Sequence, residues 1–330
     1  MKKLQNGKAA LVDQALAGFV LAHRDILRLV EGTHMMERRQ PKEKGKVRFL
    51  MGNGAGHEPA VIGWVGKGMF DMNVVGDVFT APNGYAIFEG IKRLSEGGPV
   101  LLAVQNHAGD VLNADMAMEM AEEAGINARS VLFYDDIASA PKGMEQERRG
   151  MAGMLFYTKI VGAMAERGAG MDELVTMFER VRDRTRTISV ALTNCTHPVS
   201  GLSMFEGLGE QEIEVGMGVH GEGGMGRTAL PTSRELAKML CEKLIEDGDY
   251  REGDKMLVLV NGAGGMTMME MATFYGDVHA YLASRGMTVA DCRVGNYLTT
   301  QELSGVSLSF AAVDDEMNSL WHDPCQVSQF

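Results

Sequence analysis

Short apolar runs alternate along this chain with longer stretches in which apolar positions recur at helical spacing. Val100 to Val104, Ser130 to Tyr134, Ile188 to Leu192 and Met256 to Val260 read as buried strands. Val47 to Met51 joins them, with Arg48 its one charged member. Between these runs lie helical patterns such as Ala114 to Ala124, where Met116, Ala117 and Met120 share a face and Gly125 supplies the stop. Strands alternating with helices predict an α/β fold. At 330 residues the chain exceeds the usual size of one domain, so two are expected. The arginine-rich stretch Glu179 to Arg186, just before a fresh strand, marks the boundary, giving domains over 1–185 and 186–330. No internal repeat is apparent.

Composition narrows the function classes. A net charge of −12 and a pI near 5.2 argue against a nucleic-acid partner, whose phosphates call for clustered Lys and Arg. Cys195, Cys241, Cys292 and Cys325 show neither metal-ligand nor disulfide-framework spacing, which fits a reducing cytoplasm. The charged N-terminus leads into no apolar signal segment, and no apolar run approaches the roughly 18 residues a membrane span needs. The 26 methionines suit irregular core packing rather than a cofactor box.

Two glycine-rich loops each present a histidine. Gly216-Met-Gly-Val-His-Gly-Glu-Gly223 sets His220 among residues with almost no side chain, where the backbone can turn sharply and approach a small molecule. Gly52-Asn-Gly-Ala-Gly-His-Glu-Pro59 follows an apolar run and carries His57. Counted as a dinucleotide fingerprint, this second loop fails: the third glycine falls on His57, and Pro59 would interrupt the helix. A third constellation, Val104 to Asn113, leaves a strand and places Asp110 in a strand-to-helix loop, as a ligand group or as a helix cap. Asp247-Gly-Asp249 reads as a polar turn rather than a metal site, and Lys67 as a surface charge. No Walker loop is present.

Taken together and in order, these motifs resemble the substrate-binding subunit of the dihydroxyacetone kinase family over nearly the whole chain. The match runs through Gly54-Ala-Gly-His-Glu-Pro-Ala60, Gly66-Lys-Gly-Met69, Gly76-Asp-Val-Phe-Thr80 and Asn106 to Asn113. It continues through Arg149-Gly-Met-Ala-Gly153, Val219-His-Gly-Glu222, Val260-Asn-Gly-Ala-Gly-Gly265, Ser304-Gly-Val-Ser-Leu308 and Asp314-Asp-Glu316.

The resemblance implies two α/β domains with mixed sheets, the first binding substrate, the second carrying the covalent histidine, and a tail returning to the first domain. By it, His220 holds the ketone carbon of a short ketose as a hemiaminal, which a polyol without a carbonyl cannot form. Asp110 accepts the proton of the terminal hydroxyl during phosphorylation, His57 hydrogen-bonds the substrate and assists proton transfer, and Gly54 contributes a backbone contact. Ala55 and Gln105 line the substrate. Gln105 stands where the family typically has lysine, and Gly223 where it has proline; with Asn53 and Ala55 these changes point to a four-carbon ketose such as erythrulose as an alternative to dihydroxyacetone. The resemblance also implies a homodimer and a separate helical, nucleotide-binding kinase subunit. That partner would hold ATP, or an ADP recharged by a phosphotransferase relay, with Mg; this chain would bind no cofactor or metal itself. The rival expectation is a non-catalytic ketose sensor acting as a transcriptional coactivator. An isomerase or aldolase has less support, because these loops offer no evident Schiff-base lysine.

Overall fold

The computed structural model describes residues 2–205 and 207–330. Contacts divide the chain into two compact units, one formed by 1–133, 157–180 and 320–330, the other by 134–156 and 181–319. In place of a single break at 185/186, the segment 134–156 groups with the later residues. The segment is tied to the later residues by Arg148, which pairs with Asp247, and by Ile137, which packs in the second unit's core and donates its N–H to the Thr187 carbonyl.

In the first unit α1 (Leu11–Ala22) precedes an antiparallel pair, β1 (Leu27–Leu29) and β2 (Met35–Arg38). β3 (Arg48–Ala55), β4 (Met72–Val78), α2 (Gly84–Ser95), β5 (Val100–Gln105), α3 (Ala108–Glu123) and β6 (Ala128–Phe133) follow. The six-stranded sheet has the order β1-β2-β4-β3-β5-β6, and its last four strands are parallel. Such strands are covered on both faces, which is why they read as continuous apolar runs. Leu50 joins Val74, Ile87, Ile91, Leu102 and Ala117 in one buried cluster. Its neighbour Phe49 points to the opposite face and packs on Phe70 and Tyr157, with Phe133 and Phe178 beyond. In the tail, Gln326 and Gln329 donate backbone N–H bonds to the carbonyls of Lys67 and Gly63, so Lys67, exposed as a surface charge should be, pairs through its backbone.

Two expectations shift here. β3 runs on through Gly52–Ala55, so half of the expected loop is strand, paired Gly52 to Val74 and Gly54 to Gly76. α3 begins at Ala108, well before Ala114, because Ala108, Gly109 and the exposed Leu112 bury no stripe that a periodicity reading can detect. Beyond Ala55 the chain makes a 3₁₀ turn at Ile62–Trp64, where a dinucleotide fold would place an α-helix.

After α4 (Met154–Arg167) and α5 (Met171–Asp183), the second unit is built from β7 (Thr185–Ala191), β8 (Glu212–Val215), β9 (Gly226–Ala229), α6 (Ser233–Gly248), β10 (Lys255–Gly262), α7 (Met268–Ser284), β11 (Thr288–Gly295) and β12 (Gly305–Ala312), with α8 (Asp315–Trp321) last. Its sheet order is β11-β10-β12-β7-β8-β9, parallel only between β10 and β11. α6 and α7 start in full capping boxes, Thr232 with Glu235 and Thr267 with Glu270. They lay Leu240, Leu244, Phe274 and Val278 against Val258, Val260, Leu308 and Phe310 of the sheet. Both units are therefore α/β with mixed sheets.

Candidate functional site

In the first unit Gly54, Ala55, His57, Gln105 and Asp110 gather at the carboxyl ends of parallel strands, where open α/β sheets bind ligands. Gly54 cannot carry a side chain: a Cβ there would stand 2.7 Å from the Thr80 nitrogen and 2.9 Å from its oxygen. Gly56, at φ 104°, lies against the Phe79 ring, where a Cβ would come within 2.6 Å. The same ring packs 4.9 Å from the imidazole of His57, which is only 5 % exposed. His57 is thus positioned by aromatic packing and by glycines that let two backbones close together. Gln105 is buried at the last position of β5. Asp110 is half-buried in the first turn of α3. His107 occupies the N-cap position, and Asp110, inside the helix, is not its cap. Asn53 is buried inside the sheet, its Oδ1 accepting from Asn73 at 2.7 Å and its Nδ2 donating to the Gly54 carbonyl at 3.0 Å.

A groove of about 930 Å³ in this unit is lined by His34, Asp77, Thr80, Pro82, Asn83 and neighbouring residues, and by none of the candidates just named. It is open and mixed in charge. The convergence of strand ends on His57, Gln105 and Asp110 is the better guide to chemistry than volume.

In the second unit His220 lies in the connection between β8 and β9. Glu222 grips it twice: one carboxylate oxygen accepts the His220 backbone N–H at 2.8 Å, and the other lies 3.1 Å from Nδ1. Burial alone would raise the Glu222 carboxyl, but the histidine and backbone N–H donors outweigh it and pull the pKa down to about 2. Glu222 is then ionised near neutrality and can only accept, so its contact with Nδ1 calls for a proton on Nδ1.

The loop backbone is held by long-range donors. Thr300 Oγ1 donates to the Val219 carbonyl at 2.8 Å, Ser189 Oγ to the Met217 carbonyl, and Arg149 Nη2 to the Gly216 carbonyl at 2.9 Å. Gly216 and Gly221 adopt φ of 80° and 82°; of the two glycines that bracket Val219-His220, Gly221 is left-handed and Gly218 is not. A side chain on Gly218 would meet Glu222 Oε2 at 2.2 Å, whereas Gly223 faces open space. Beneath the loop a cavity of about 30 Å³, lined by Gly218, Ser189, Asn261 and Thr300, is large enough for a water molecule.

The remaining acidic groups are absorbed structurally. Asp247 pairs with Arg148 at 2.6 Å and Arg186 at 2.6 Å, and Asp249 with Lys142 at 2.7 Å; in place of the expected polar turn, Asp247 and Gly248 end α6 and Asp249 is its C-cap. Asp135 is fully buried, held by Thr187 and by the N–H groups of Met151 and Gly153 at 2.5 and 3.0 Å; burial pushes its carboxyl up to about 7. No disulfide joins the four cysteines. Among the described residues, no helix is long and apolar enough to cross a membrane. Glu222 was visible in sequence only as part of a motif, and Ser189 and Thr300 gave no signal at all, since their partners lie far away along the chain.

The Dak1 domain model matches residues 17–329. The chain is 43 % identical over 316 residues to the dihydroxyacetone-binding subunit DhaK of PTS-dependent dihydroxyacetone kinase 1 of Listeria innocua, covering 96 % of this chain and 95 % of that one. It is 34 % identical to the L-erythrulose 1-kinase of Mycolicibacterium smegmatis, covering all of this chain but 58 % of that protein. Among solved structures, the dihydroxyacetone kinase operon co-activator Dha-DhaQ superposes with a TM-score of 0.90 at 30 % identity, over 96 % of this chain and 97 % of that one. The dihydroxyacetone kinase of C. freundii in complex with AMP-PNP and Mg²⁺ gives a TM-score of 0.90 at 27 % identity, over 100 % of this chain and 60 % of that one. The chain belongs to the Dak1 family, and within the dihydroxyacetone kinases it is of the DhaK type.

Proposed function

We propose that this chain is the ketose-holding subunit of a dihydroxyacetone-type kinase. It captures a short ketose, dihydroxyacetone or a four-carbon relative such as erythrulose, as a hemiaminal on His220 and presents the terminal hydroxyl for phosphorylation. The observation that carries the reading is the double grip of Glu222 on His220, which leaves Nε2 as a neutral nucleophile. Nε2 bonds to the carbonyl carbon as the C=O π pair moves to oxygen. That oxygen gains one proton and Nδ1 loses one, with Glu222 beside Nδ1 to ease the exchange, so the adduct is neutral. Asp110 takes the proton of the terminal hydroxyl as it attacks phosphorus, and His57 steadies the substrate. Gly54 and Ala55 give close backbone approach, and Gln105 donates hydrogen bonds without charge.

The phosphoryl donor belongs to a nucleotide-binding partner subunit, which holds ATP, or ADP recharged by a phosphotransferase relay, together with Mg. The names of the Listeria and Mycolicibacterium relatives support the two substrate choices, and the PTS-dependence of the former supports a relay. The same reading makes the protein a cytoplasmic homodimer. The test is intact-protein mass spectrometry and thermal shift with C3 to C5 ketoses. A ketose that adds to and stabilises wild type but not His220→Ala supports capture; no response to any of them overturns it.

A second reading, a ketose-sensing coactivator without catalysis, is favoured by the likeness to Dha-DhaQ and by the neutral Gln105. Supplying the nucleotide-binding subunit of the Listeria kinase and its donor decides between them: ketose phosphate formed at a rate sensitive to Asp110→Asn supports the kinase, and adduct without product supports the sensor.

A further inference from the structure

We infer that Arg149 is a positioning residue for His220, setting how fast the imidazole captures a carbonyl; this rests on the reading of His220 as the nucleophile. Three backbone carbonyls of the histidine loop converge on its guanidinium. Nη2 donates to Gly216 O at 2.9 Å, and Nη1 lies 3.4 Å from both Glu222 O and Gly223 O. Carbonyl oxygens aimed at one point repel each other, and a planar cation with five N–H donors is the side chain able to hold several at once.

Arg149 is itself immobilised. Nε and Nη2 donate to Asp136 Oδ2 at 2.9 and 2.7 Å, and Asp136 is wholly buried. The Asp136 Oδ1 accepts from Ala138 N at 3.0 Å, and the Arg149 backbone bonds to Ser139 Oγ through its N–H and to the N–H groups of Asp135 and Asp136 through its carbonyl. The clamp reaches the residue that grips the imidazole, since the Glu222 carbonyl it approaches also accepts the Gly218 N–H at 2.9 Å and closes the turn around His220. Gly218 has no room for a side chain because Arg149 Nη1 and the Glu222 carboxylate fill that space, at 2.6 and 2.2 Å from a Cβ. Arg149 touches neither imidazole nitrogen in this arrangement, so its effect runs through Glu222 and the loop backbone.

The experiment follows adduct formation by NMR with carbonyl-¹³C dihydroxyacetone, against ketose concentration, for wild type, Arg149→Lys, Arg149→Met and a stability control. Tyr250→Phe serves as that control, because its hydroxyl bonds only the Arg184 and Phe310 carbonyls, away from the loop. The expected result is a maximal capture rate lowered about 10- to 100-fold in Arg149→Met, the size of one charge-assisted hydrogen bond, with half-saturation changed less than about twofold. Arg149→Lys, keeping the charge but not the fork, recovers part of that rate. Tyr250→Phe, even where it lowers the melting temperature as much, captures at the wild-type rate. A folded Arg149→Lys and Arg149→Met that both capture at the wild-type rate overturn the positioning role. Equal loss in Tyr250→Phe would show that stability alone is being read, and overturns it too. A wild type that forms no adduct removes the nucleophile reading itself and the clamp with it.

Discussion

The His57 and His220 loops look alike on paper, each a histidine among glycines, yet different contacts dominate around them. Around His57 steric closeness stands out, Gly54 against the Thr80 backbone, Gly56 against the Phe79 ring and the same ring against the imidazole, together with local hydrogen bonds such as Gly56 N–H to Glu58 at 2.9 Å. His220 is set by directed hydrogen bonds, Glu222 on the ring and Arg149, Ser189 and Thr300 on the loop carbonyls. Packing suits a group that must stay in one place. Charged and polar partners suit a group whose tautomer matters, because only they select which nitrogen carries the proton.

The largest expected effect separates chemistry from fold. His220→Ala should abolish ketose adducts in mass spectrometry while the protein still folds, losing only about 1 to 2 kcal/mol for the missing Glu222 contact. Gly54→Val should do the reverse, lowering stability in urea titration by about 3 kcal/mol through forced overlap with Thr80; a well-folded variant would break the steric half of the comparison. Glu222→Gln removes the ionised acceptor and should slow capture about 10- to 100-fold. An unchanged rate would mean that the tautomer is not selected by this carboxylate.

Acidity sharpens the contrast further. Asp135, pushed up to about 7 from the ordinary 3.8, contributes stability that is fully present below pH 3.8 and is lost as pH rises through about 7. Glu222, held near 2, contributes stability present above pH 4.5 and lost as pH falls through about 2. Thermal melts of Asp135→Asn should therefore lose the decline that wild type shows between pH 4 and 8. The smallest effect is Gly223→Ala, where nothing stands within 4 Å of the new methyl; its stability should stay within about 0.5 kcal/mol and its capture rate unchanged. A large loss there would show that the loop relies on glycine flexibility rather than on its pinning bonds.

Much of this was legible in the residues. Four apolar runs fall inside or across β5, β6, β7 and β10; in β5, β7 and β10 the strands are buried on both faces and so apolar there, whereas β6 exposes Arg129 and Ser130. The extension of β3 into Gly52–Ala55 was not legible, since glycine carries no strand signal and is used there for close approach to Thr80. Nor was the true start of α3, whose first turn buries no apolar stripe. The grouping of 134–156 with the second unit was equally hidden, because it depends on Arg148 meeting Asp247 across 99 positions.

The sequence by itself determined which residues can do chemistry: two histidines and an aspartate beside glycines, in an order that marks the family, all read from spacings of a few residues. Tertiary structure alone decided how those groups are held. Glu222 reaches Nδ1 only once the turn has closed, and Arg149 meets Gly216 across 67 positions of chain. Short spacings are encoded in local backbone geometry, whereas a bond between distant residues exists only after the core has brought them together.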